Sequence, residues 1–154
     1  MELKQQSVSR MEDMMPLIRE ALAAGRSVRF YPMGRSMLPM LREGIDCVTL
    51  SPPPQRLEKY DLPLYQRDQE KYILHRVIGA GQTYTMMGDN QLTPEHGIRQ
   101  DQIIGLVTAF TRGNREIPVT DPGYRLYCRL WHLMKAPIRF CRRAYRWLRR
   151  HLKQ

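Results

Sequence analysis

Ser36 in "GRSMLP" and His75 in "YILHRVI" are the side chains best suited to nucleophilic chemistry in this chain. A serine hydroxyl is a poor nucleophile near neutral pH. It needs a base to take its proton and hydrogen-bond donors for the oxyanion formed on the carbonyl it attacks. Gly34 lets the backbone approach a substrate closely, Pro39 fixes φ just after the serine, and the amides around Gly34 and Ser36 are the candidate oxyanion donors. In an extended "YILHRVI", alternation sets His75 on the face of Ile73 and Val77, and burial there keeps the imidazole neutral and able to accept a proton. His96 falls in a loop, and His132 and His151 fall in a basic tail with no evident nucleophile. On residue type alone, Ser36 suits a turn that satisfies its own backbone, and His75 suits a hydrogen-bonded core position.

The elements that must position these groups follow from periodicity. Met11, Met14, Met15, Ile18 and Leu22 step by three and four, and Gly25 follows as a stop, so a helix is predicted over about 11–24. "SVRFYPM" and "DCVTL" alternate as strands, the second ended by Pro52, Pro53 and Pro54. "YILHRVI" reads as one strand and "TYTMM" as its hairpin partner across "GAGQ". "MGDNQLTPEHG" reads as a polar loop and "QIIGLVTAFTRG" as the last strand. The expected fold is mostly β (α+β), without internal repeats: an N-terminal helix (1–25), a β domain (26–120) and, after the turn "DPG", a tail (121–154).

The 154 residues suffice for one domain, and the net charge of +10 is localised. From Tyr124 to Gln154 there are eight Arg, two Lys and no Asp or Glu, so the remainder is balanced. Tyr127, Trp131, Met134, Ile138, Cys141, Tyr145, Leu148 and Leu152 fall on one helical face with the basic residues around them, which predicts a basic amphipathic helix broken or restarted at Pro137. Cys47, Cys128 and Cys141 lack CxxC spacing, so neither a disulfide framework nor a zinc site is indicated, and the expected compartment is reducing. The N-terminus is too charged for a signal peptide, and "IIGLVTAF" is far short of the roughly 20 residues that span a bilayer.

"GRSMLPML", then "HRVIG" with its histidine 39 residues after the serine, then "MGDN" and "IIGLV" resemble, in order and spacing, the boxes of type I signal peptidases and LexA-like serine peptidases. The resemblance runs from Val28 to Phe110. Histidine in place of the lysine of most bacterial signal peptidases is similar to the endoplasmic-reticulum type, and small signal-peptidase-like members share the "MLP", "LHR" and "GDN…EH" elements and the basic tail. The resemblance implies a coiled β fold, Ser36 as nucleophile, His75 as general base, no cofactor and no metal. It implies Asp89 of the "GD" box as the acid that orients His75, with Glu95 as the alternative. "REGIDCV" departs from the glycine-aspartate pair of many relatives, and Asp46 is expected to be structural.

The implied activity is a serine endopeptidase cutting a peptide or precursor protein after small residues; the alternative is a catalytically silent peptide-binding module. Family members that process secreted precursors usually carry an N-terminal span, for which the tail is the expected substitute. Residues 124–153, with Trp131 and Trp147, would lie on an anionic membrane surface. Docking of the tail on the body ranks second and nucleic acid third. The expected location is cytoplasmic, or peripheral at the cytoplasmic membrane.

Overall fold

The computed structural model describes residues 11–67 and 71–151, the last helix by its backbone alone at residue 136 and beyond Pro137. The fold is mostly β, with a curled, half-barrel sheet and two helices. Helix α1 (Met11–Ala23) buries Met15, Ile18 and Leu22. It ends in a Schellman motif: Gly25 takes φ +73°, Gly25 N–H donates to the Leu22 carbonyl, and Arg26 N–H donates to that of Ala21.

Among the described residues nine strands follow: β1 (Val28–Phe30), β2 (Val48–Ser51), β3 (Pro63–Arg67), β4 (Lys71–Leu74), β5 (Arg76–Ala80), β6 (Tyr84–Met87), β7 (Glu95–Ile98), β8 (Ile103–Arg112) and β9 (Arg115–Pro118). The larger sheet runs β1-β2-β8-β3-β4, with β9 also on β8, and the smaller runs β5-β6-β7. All pairings are antiparallel. β8 is the spine because its ten residues are long enough to pair with three strands.

The expected single strand "YILHRVI" is two. β4 pairs with β3 as far as Leu74, and β5 pairs with β6 from Arg76, so His75 occupies the crossing between the sheets. Leu74 belongs to the main apolar cluster around α1, β2 and β8, whereas Ile73 and Val77 pack in the second, with Tyr65 and Met86. Alternation thus holds through the crossing while the sheet partner changes. "EHGI", expected within a loop, is β7, and β3 and β9 lie where no strand was expected.

Helix α2 (Pro122–His151) runs through Pro137 without the expected break. Proline removes one N–H from the ladder, and both Pro137 and Leu133, whose carbonyl loses that donor, are exposed. The first part of this helix is not a free tail: Tyr124, Cys128 and Lys135 are buried against the body. The expected apolar residues from Ile138 onward lie outside the described side chains. No helix among the described residues is long and apolar enough to cross a membrane.

Candidate active site

The serine turn is anchored from both sides of Ser36. Met37, Met40 and Leu41 are buried in the main cluster, and a cis Leu38–Pro39 peptide follows the serine. Gly34 takes φ +93°, a conformation that an L side chain adopts only with strain, and its N–H donates to Glu43 Oε1 at 3.0 Å. Gly34 therefore shapes the turn, and its N–H, one of the expected oxyanion donors, is engaged by Glu43. Among the described residues the Ser36 N–H has no hydrogen-bond partner, and neither has its hydroxyl.

The "MGDN" segment closes over this turn. Asn90 N–H donates to the Ser36 carbonyl at 2.8 Å, and Asn90 Nδ2 donates to that of Arg35 at 3.1 Å. Gly88 packs so closely that a Cβ there would stand 2.6 Å from the Ser36 carbonyl oxygen and 3.1 Å from His75 Nε2. One methyl-sized position thus separates the serine backbone from the imidazole. Ser36 and His75 line the same cleft of about 220 Å³, with Met37, Ile73, Arg67 and Gln91 among its walls.

His75 is 4% exposed, and burial, partly opposed by the charge of Glu95, lowers its pKa from 6.5 to about 4. It is neutral at pH 7, and its tautomer follows from a chain of bonds. Tyr65 has a single hydroxyl proton, and the 2.7 Å bond to the acceptor-only carboxylate of Glu95 uses it. The 3.3 Å contact between Tyr65 Oη and His75 Nδ1 must then be donated by Nδ1–H. Nε2, on the Gly88 side, is left with its lone pair free to take a proton.

Glu95 stays ionised. Its burial alone would raise its pKa, but hydrogen bonds from Arg67 and Tyr65 and the charge of Arg67 hold it below the ordinary value. Arg67 reaches Glu95 through both Nε and Nη2. Tyr65 and Arg67 are two residues apart on β3 and so share a face, which brings both to the first residue of β7.

Asp89, the favoured orienting acid, serves elsewhere. Its carboxylate receives two bonds from Arg76, at 2.8 and 2.7 Å, and one from Tyr127 at 3.1 Å. Arg76 also donates to Tyr124 Oη, the Tyr60 carbonyl and Cys128 Sγ. Along α2, Trp131 Nε1 donates to the Asp89 carbonyl at 2.9 Å, and Lys135 Nζ donates to those of Gly88 and Gln91 at 2.7 and 2.8 Å. Tyr127, Trp131 and Lys135, spaced four apart, form one face of the helix and hold the segment over the cleft. Asp46 is structural, clamped by three bonds from Arg42 across its turn.

Glu95 stands behind His75 through a tyrosine that sequence reasoning missed. The available signal was the alternation of Tyr65 and Arg67 in "PLYQR". Comparison with protein-family models, curated proteins and solved structures finds no match to this chain.

Proposed function

We propose that the chain is a serine endopeptidase of the signal-peptidase and LexA-like kind, with that family's coiled β fold. The observation that carries this is the placement of Ser36 and a buried, neutral His75 on either side of Gly88 in one cleft. Ser36 Oγ attacks a peptide carbonyl carbon while its proton passes to His75 Nε2, and the new oxyanion is met by the Ser36 N–H. The imidazolium is stabilised through Nδ1–H on Tyr65 Oη and by the negative charge of Glu95 behind it. His75 then returns the proton to the leaving amine as the C–N bond breaks, leaving an acyl-serine. Water attacks the ester, giving one proton to His75, and that proton returns to Ser36 Oγ as the acid product leaves.

Substrate geometry follows from the sheet. β4 is the last strand in the order β1-β2-β8-β3-β4, and its Tyr72, Ile73 and Leu74 line the cleft immediately before His75. An extended peptide paired on that edge would carry its carbonyl toward Ser36.

One observation favours the catalytically silent alternative: the Ser36 hydroxyl makes no hydrogen bond among the described residues. Catalytic contacts of this kind often tighten only when substrate binds. A fluorophosphonate probe separates the two readings. The expected result is one label on Ser36, none in Ser36→Ala, and labelling slowed by about 100-fold or more in His75→Ala with an unchanged thermal melt. A wild-type protein that does not label, or a His75→Ala variant that labels at the wild-type rate, would refute the peptidase.

A further inference from the structure

Helix α2 carries two faces of opposite use. Tyr124, Tyr127, Cys128, Trp131 and Lys135 turn toward the body, where they bond the Arg76–Asp89 pair and the backbone of the segment over the cleft. Tyr127 and Trp131, expected to face a membrane, are therefore committed inward. On the other side, Leu126 is 55%, Leu130 51%, Leu133 66% and Met134 50% exposed. At about 100° per residue these four and the exposed Pro137 fall within an arc of roughly 100°, about 16 Å long. Arg125 and Arg129, both exposed, border the arc on one side.

We infer that this outward arc, Leu126, Leu130, Leu133 and Met134, is a docking surface for an anionic lipid bilayer. Charge decides the occupant. Apart from Lys135, which is buried against the segment over the cleft, the chain from Tyr124 onward holds nine basic residues and no acidic one, a charge that suits a polyanionic partner. A nucleic acid supplies phosphates but no apolar layer for a leucine stripe to enter. The boundary between headgroups and acyl chains supplies both, and a helix with this division of residues lies in its plane. The inference stands apart from the peptidase proposal, since it uses neither Ser36 nor His75.

The test is co-sedimentation of the full chain with vesicles of phosphatidylcholine, alone or with about one-third phosphatidylglycerol. Retention on the anionic vesicles is expected, with little on the neutral ones and a loss at high salt. The combined Leu126→Gln, Leu130→Gln and Leu133→Gln variant should bind the anionic vesicles roughly 100-fold more weakly. All three positions are exposed, so its thermal melt and its fluorophosphonate labelling should match those of the wild type, which separates this result from failure of the active-site proposal. Undiminished binding by the variant, or equal retention on neutral vesicles, would overturn the inference. Retention on RNA without retention on vesicles would assign the helix to nucleic acid, and a dimer abolished by the leucine replacements would assign the arc to a second copy.

Discussion

Replacing Tyr65 by Phe tests the chain of bonds from Glu95 to His75 with the smallest change of shape. The ring is fully buried, so phenylalanine keeps the packing and removes only the hydroxyl. Two bonds go: Nδ1–H of His75 loses its acceptor and Glu95 loses one of its donors, while Arg67 continues to hold the carboxylate. In the resting protein the bond from neutral His75 is worth about 1 kcal/mol, and in the transition state of the proposed acylation, with the imidazole taking a proton, a charge-assisted bond is worth about 1.5–3 kcal/mol. The difference, about 0.5–2 kcal/mol, slows acylation by roughly 2- to 30-fold. Because the hydroxyl favours the protonated ring, its removal also moves the acid limb of the rate profile down, by up to about 1.5 pH units. The assay is the second-order rate of fluorophosphonate labelling at Ser36 between about pH 4 and 8, with thermal melts alongside. A variant that melts like the wild type and shows both an unchanged plateau and an unmoved acid limb would refute the role of Tyr65.

In the wild type, labelling should hold steady from neutrality to about pH 5 and fall through the His75 pKa of about 4; a midpoint near 6.5 would show an unburied imidazole. The same shift makes stability depend on pH. Because the folded pKa lies below the unfolded value, the unfolded chain binds the proton first, so about 3 kcal/mol is lost as pH falls from 6.5 toward 4, measurable as a falling urea midpoint. Asp89→Asn leaves buried Arg76 without its counter-charge and should cost about 3–5 kcal/mol, a fall of about 10 °C in Tm. An unchanged melt with lost labelling would return Asp89 to a catalytic role. Gly88→Ala puts a methyl group 2.6 Å from the Ser36 carbonyl oxygen and should cut labelling at least tenfold; wild-type labelling would mean that the two halves of the cleft are not in contact.

That Ser36 and His75 share a cleft was legible, because their boxes carry order and spacing. The carboxylate nearest His75 was not, because proximity of Asp89 to the site along the chain says nothing of where its carboxylate bonds. A side chain at Gly88 would meet His75, but that of Asp89 is taken by Arg76. Glu95 meets His75 only through Tyr65, and that meeting needs β3 beside β4 and β7 brought near them, a product of long-range closure. β3 itself was hidden because it starts on a proline, and β9 because its burial shows no alternating apolar face. The split of "YILHRVI" was invisible for a different reason: alternation of side chains survives a change of sheet partner. For α2 the helix was legible but its apolar stripe only in part: Tyr127 and Trp131 turn to the body, whereas Met134 of the expected stripe is exposed and Lys135, expected among the solvated basic residues, is buried, since periodicity cannot say what receives each face.

The clamp from α2 also fixes when the site can exist. Synthesis proceeds from the N-terminus, so Ser36, His75, Arg76 and Asp89 are all made before Tyr124, Tyr127, Trp131 and Lys135, which bond Arg76, Asp89 and the Gly88 and Gln91 carbonyls. A nascent chain that has reached only β9 carries Ser36, His75 and a buried-type ion pair still missing its partners. The cleft is thus finished by a helix made after every residue that lines it, and on the peptidase proposal a chain stopped before residue 124 would be latent in the literal sense, its side chains encoded and its geometry not yet assembled.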